Sequence, residues 1–104
     1  MVTAHEAFVA VFYALDAAYD ESKDEEIGKY LSDANPFLFN DRDSADPAIF
    51  EEYQGKFLNQ FGDWAGVEES LEFSRAYLEE KSETLLAAFN SVVDDAKWKS
   101  AIEG

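Results

Sequence analysis

Apolar residues recur along this chain at spacings of three and four, and most such runs open on a capping signal and end at a breaker. That periodicity admits helices and little else. Phe8, Val11, Phe12, Leu15 and Tyr19 fall on one helical face, because residues three and four apart stack over one another at 3.6 residues per turn. Thr3-Ala4-His5-Glu6 stands ahead of them with capping-box spacing. There the Thr3 hydroxyl can accept from the Glu6 amide while the Glu6 carboxylate returns to the Thr3 amide. The pattern predicts a first helix over residues 3–19. A second box, Ser22-Lys23-Asp24-Glu25, opens a short helix with Ile27, Tyr30, Leu31 and Ala34 on its apolar face. Asn35-Pro36 closes it, since a proline ring excludes the α conformation from the residue before it.

Residues 37–46 read as a long irregular stretch. Asp46-Pro47 then supplies an N-cap and a first helical residue, followed by Ile49, Phe50, Tyr53, Phe57 and Phe61. Gly55 sits inside this third helix and weakens it by about 1 kcal/mol relative to alanine. Gly62 to Gly66 is a break, with Asp63 the expected cap. Val67, Leu71, Ser74 and Leu78, flanked by Phe73 and Tyr77, mark a fourth helix. Ser82 caps a fifth, which carries Leu85, Leu86 and Phe89. Asp94 to Ile102 would bury Trp98 and Ile102, either as a separate helix or as a continuation of the fifth. No segment alternates in the two-residue period of a strand. The expectation is an all-α fold, a single-domain compact bundle of five or six short helices over residues 1–104.

Composition decides whether such a bundle can stand alone. Among 104 residues are 9 Phe, 5 Tyr and 2 Trp, and buried aromatics remove about 150–250 Å² each from water. That is enough for a core without a staple. The chain carries no cysteine and one histidine, which excludes disulfides, thiolate metal sites and any site needing two imidazoles. His5 itself lies in a first helical turn, where its positive form is poorly placed, and reads as a surface residue.

Acidic residues number 23 against 8 basic ones, for a formal net charge of −15. The excess is −6 over residues 1–34, −3 over 35–62 and −6 over 63–104, so it belongs to the whole surface and not to a tail. Eight scattered cations cannot neutralise a phosphate backbone, and an anionic membrane would repel the chain. Neither nucleic acid nor membrane is an expected partner. No apolar run approaches the roughly 18 residues of a membrane span. The stretch from Ala7 to Leu15 lacks the preceding basic residues of a signal peptide, and a cytoplasmic location is the expectation.

Two local features suit divalent ions. The Asn40–Asp46 stretch places Asp41, Asp43 and Asp46 close together, and crowded hard oxygens suit Ca²⁺ or Mg²⁺. It departs from the EF-hand pattern, because Asp46 and Pro47 stand where the turn glycine and its follower belong. An Asx-turn loop ending in a helix cap accounts for the same residues. Glu69-Ser70-Leu71-Glu72 resembles the first E-x-x-E half of the Mg²⁺-binding motif of all-α nucleotide pyrophosphohydrolases. That resemblance implies metal ligation by Glu69 and Glu72, yet no E-x-x-D follows to supply the second half. Without it, a glutamate-rich helix face in water explains the pair.

Trp64, between Gly62 and Gly66, is the aromatic residue expected to be exposed, and Glu68, Glu69 and Glu72 follow it. Aromatic anchors with charge for steering are the makeup of a binding patch. The leading functional expectation is a non-enzymatic interaction module with no cofactor, whose acidic surface binds a basic protein partner. Acidic inhibitors of nucleases and mimics of DNA use their surfaces in this way. A divalent-metal-binding protein or minimal Mg²⁺-dependent nucleotide hydrolase is the first alternative. An acidic domain adapted to salt, with no partner implied by its charge, is the second.

Overall fold

A computed structural model describes residues 1–34 and 47–103. Six helices account for nearly all of them: α1 (Ala4–Ser22), α2 (Glu25–Ala34), α3 (Pro47–Phe61), α4 (Val67–Lys81), α5 (Glu83–Val92) and α6 (Asp95–Glu103). The expected all-α bundle is what forms. The sixth helix is separate from the fifth: Val93 is extended, at φ −119° and ψ 128°, and the Asp94 carboxylate accepts from the Lys97 amide at 2.8 Å.

Two caps differ from expectation. Ser22 is the last residue of α1, and Asp24 caps α2 by accepting from the Glu26 amide at 2.9 Å. Between them Lys23 takes a left-handed conformation, φ 54°, which turns the chain. The cap of α4 is Gly66 and not Asp63. Glu69 Oε1 accepts from the Gly66 amide at 3.2 Å, so the glutamate of a capping box works without its hydroxyl partner. Gly62 carries the turn after α3 at φ +76°, a conformation glycine adopts without steric cost.

Helix α1 is the centre of the bundle and packs against all five others. Its buried face is wider than the Phe8-Val11-Phe12-Leu15 stripe, because Ala4, Ala7, Ala10 and Ala18 are buried as well. Small residues let several helices approach one axis. Helices α3 and α4 meet through large rings. Tyr53 lies edge-on to Phe73 at 5.1 Å and to Tyr77 at 4.9 Å, and Phe57 edge-on to Phe73 at 5.4 Å. Offset edge-to-face packing is what the aromatic quadrupole favours.

A ladder of buried hydroxyls threads this core. Ser74 donates to the Ser70 carbonyl at 2.8 Å, so its oxygen, 2.9 Å from the Tyr53 hydroxyl, accepts from that tyrosine. Ser70 donates to the Val67 carbonyl at 2.7 Å and accepts from the Trp98 indole at 3.0 Å. Both serines are fully buried, and each finds its partners, as a buried hydroxyl must. The ladder ties α3 and α6 to α4.

Gly55 lies exposed inside α3, and a Cβ built there meets nothing within 4 Å. Gly55→Ala therefore gains helix propensity without a clash. The expected stabilisation is about 0.5–1 kcal/mol, or a rise of several degrees in melting temperature. A thermal melt that falls would mean the glycine serves some other need.

Candidate functional site

All 20 carboxylate side chains among the described residues are exposed or half-exposed. Ion pairs there engage three of them. Asp20 pairs with Lys23 at 3.4 Å, Glu80 with Lys56 at 2.9 Å, and half-exposed Glu52 with Lys81. The Lys56 ammonium, through its hydrogen bond and its charge, holds the Glu80 carboxyl below the usual range. The acidity is therefore a surface property, spread over every helix. Lys29 and Lys81 line a cavity of about 370 Å³ with Glu26, Asp33 and the Tyr30 ring. That cavity holds charges of both signs.

Trp64 occupies a corner that the sequence pattern alone does not build. An isolated antiparallel bridge joins Val2 to Ala65 through two backbone hydrogen bonds of 2.8 and 2.9 Å. Val2 and Ala65 are buried, so by strand alternation their neighbours Thr3 and Trp64 face outward. Trp64 is 57% exposed. Two helix starts flank it. Glu6 accepts from the Thr3 amide at 3.0 Å at the start of α1, and Glu69 accepts from Gly66 at the start of α4. Both carboxylates are held by the backbone, where they also answer the positive ends of their helices. Asp63, beside Trp64, is exposed. The result is an exposed indole on a pinned backbone, with carboxylates on either side.

The structure brings together part of the expected patch. Trp64 and Glu69 share the corner. Glu68 instead lines a groove of about 450 Å³ with Asp95 and Lys99 of α6. Glu72 is exposed one turn further along α4. Glu6 and Thr3 belong to the same corner, and their approach to Trp64 depends on a pairing 63 residues apart that no local pattern announces. Exposed Leu58 lies near the end of α3, where its carbonyl accepts from Gly62 at 2.9 Å.

Asp41, Asp43 and Asp46 lie outside the described residues. Among the described residues no group of three or more His, Asp or Glu could hold a metal ion. Glu69 and Glu72 are accordingly not joined there by further carboxylates, and Glu69 is engaged by the Gly66 backbone. His5 is exposed, with its ring edge-on to Phe50 at 5.9 Å. Among the described residues, no helix is long and apolar enough to cross a membrane. Comparison with protein-family models, with curated proteins and with solved structures finds no match to this chain, so the functional reading rests on the residues themselves.

Proposed function

We propose that this protein is a non-enzymatic interaction module that binds a basic protein partner through its acidic surface, with Trp64 as an anchor. The observation that supports the reading is the exposed indole at a corner whose surrounding carboxylates, Glu6, Asp63 and Glu69, have no ion pairs among the described residues. Exposed tryptophan is costly to leave in water and is enriched where interfaces concentrate their binding energy. Carboxylates around it draw a cationic surface in and suppress other encounters. A second copy of this chain is a poor occupant, because each carries a net charge of −15 and like fields repel.

A lysine- and arginine-rich peptide is a sufficient probe. Trp98 is 1% exposed, so a change in tryptophan emission on binding reports Trp64. The expected result is saturable binding that weakens steeply with added NaCl and shifts Trp64 emission. Trp64→Ala should reduce affinity about tenfold or more, as loss of an interface anchor does. No binding at low ionic strength, or binding indifferent to Trp64→Ala, would overturn the reading.

A further inference from the structure

Helices α1 and α2 enclose a groove of about 460 Å³, separate from the Trp64 corner and lined by Phe12, Asp16, Tyr19, Glu25, Gly28 and Leu31. Its base is apolar, because Phe12 and Leu31 are core residues. Among the described residues its titratable groups, besides the Tyr19 hydroxyl, are the two exposed carboxylates of Asp16 and Glu25, and neither has an ion pair there. Among the described residues no lysine or arginine lines it, in contrast to the cavity beside Lys29 and Lys81.

The wall of the groove depends on one missing side chain. A Cβ at position 28 would come within 2.8 Å of Tyr19 Cε1. Glycine inside a helix costs about 1 kcal/mol relative to alanine, and here it lets the Tyr19 ring lie against the α2 backbone. The ring already attracts a cation. Lys23 Nζ stands 5.2 Å from its centroid and 3.4 Å from the Asp20 carboxylate. The chain thus holds, beside the groove, its own example of a cation placed between this aromatic face and an acid.

We infer that the α1–α2 groove receives an arginine side chain of the basic partner, its stem on Phe12 and Leu31 and its guanidinium between Asp16, Glu25 and the Tyr19 ring. This rests on the interaction reading above and adds a second anchor to it. Charge complementarity selects a cation. The combination of an apolar base, an aromatic wall and two carboxylates favours arginine over lysine, since a guanidinium is planar, more weakly hydrated and forked toward carboxylates. Its methylene stem can cover apolar surface while the charge stays at the rim.

The test titrates the full-length chain with an oligoarginine and an oligolysine peptide of equal length. Affinity is read by calorimetry, and the site by magnetic-resonance shifts of the Tyr19 ring and the Gly28 amide. The double variant Asp16→Asn, Glu25→Gln is compared with Glu51→Gln, Glu79→Gln, which removes the same charge from exposed positions elsewhere. Circular dichroism checks that both remain folded. The expected result is stronger binding of oligoarginine, shifts centred on Tyr19 and Gly28, and an affinity loss of about tenfold for the groove variant, equivalent to roughly 1.4 kcal/mol. The control variant should lose about twofold or less, as exposed charges at a distance do. Equal losses in the two variants, equal affinity for the two peptides, or shifts confined to other faces would overturn the groove assignment alone. Wild-type protein that binds neither peptide would overturn the interaction reading together with it.

Discussion

Replacing Trp98 with alanine should lower the melting temperature by on the order of 20 °C and release α6 from the bundle. Trp98 is among the largest fully buried side chains. Its ring meets Phe89 edge-on at 5.8 Å, and its indole N–H is shared between the Ser70 hydroxyl at 3.0 Å and the Val67 carbonyl at 3.2 Å. Truncating a buried tryptophan costs about 3–5 kcal/mol, a large share of the roughly 5–15 kcal/mol available to a small domain. Each kcal/mol is worth about 4–8 °C at this size. A nine-residue helix does not persist by itself in water, and half-buried Ile102 is the main apolar contact α6 would retain. Trp98→Phe keeps most of the volume and should cost much less. The Ser70 hydroxyl still donates to the Val67 carbonyl in that variant, so no buried donor is stranded. Thermal melts of the two variants, with hydrogen exchange of the α6 amides, measure this. A shift of only a few degrees for Trp98→Ala would show that α6 is not part of the cooperative unit.

Raising the pH past about 10 should unfold the protein cooperatively through its buried tyrosines. Burial pushes the Tyr77 hydroxyl up to about 12, opposed by its hydrogen bond with Tyr30 and aided by the nearby Glu52 charge. Tyr53 and Tyr30 are raised as well, again first by burial. The unfolded chain ionises its tyrosines near 10, whereas the folded state resists. Stability is therefore fully present below about pH 10 and is lost as pH rises through the folded values. A tenfold difference in proton affinity between the two states is worth about 1.4 kcal/mol, so Tyr77 alone withdraws roughly 3 kcal/mol by pH 12. Tyr53 and Tyr30 add to that loss, which approaches the net stability of a domain this small. Far-ultraviolet circular dichroism and tyrosinate absorbance should change together over one narrow pH range. Ionisation of all five tyrosines with an unchanged helical signal would contradict it.

These two sensitivities arise from residues that local pattern reading weighs differently. Trp98 and Ile102 stand at four-residue spacing, and their burial is legible from that interval alone. Ser70 is not. A serine on a helix reads as polar surface; its hydroxyl donates to the Val67 carbonyl within its own helix, and the Trp98 indole that arrives from α6 completes its partners when buried. The alanines of α1 are equally silent: they are neutral in any hydrophobic pattern, and their burial follows from five helices converging on one. The cap of α4 departs from the local pattern for a related reason. Asp63 has the side chain of a good cap, but the Val2–Ala65 bridge holds the chain extended through residue 65 and delays the helix to Val67.

The candidate site divides along the same line. That Trp64 would be exposed follows from its two flanking glycines, and that acids would crowd the surface follows from composition. The placing of Trp64 beside the start of α1 required a contact between the first residues of the chain and residue 65, and the α1–α2 groove required Gly28 to admit the Tyr19 ring. The sequence by itself determined the helices, most of their ends and the sign of the surface, because caps, periodicity and charge act within a few residues. Tertiary structure alone decided which carboxylates face one another, which hydroxyls could be buried and where a groove opens. Those depend on pairs of residues distant in the chain, whose contact energies are felt only once the helices pack.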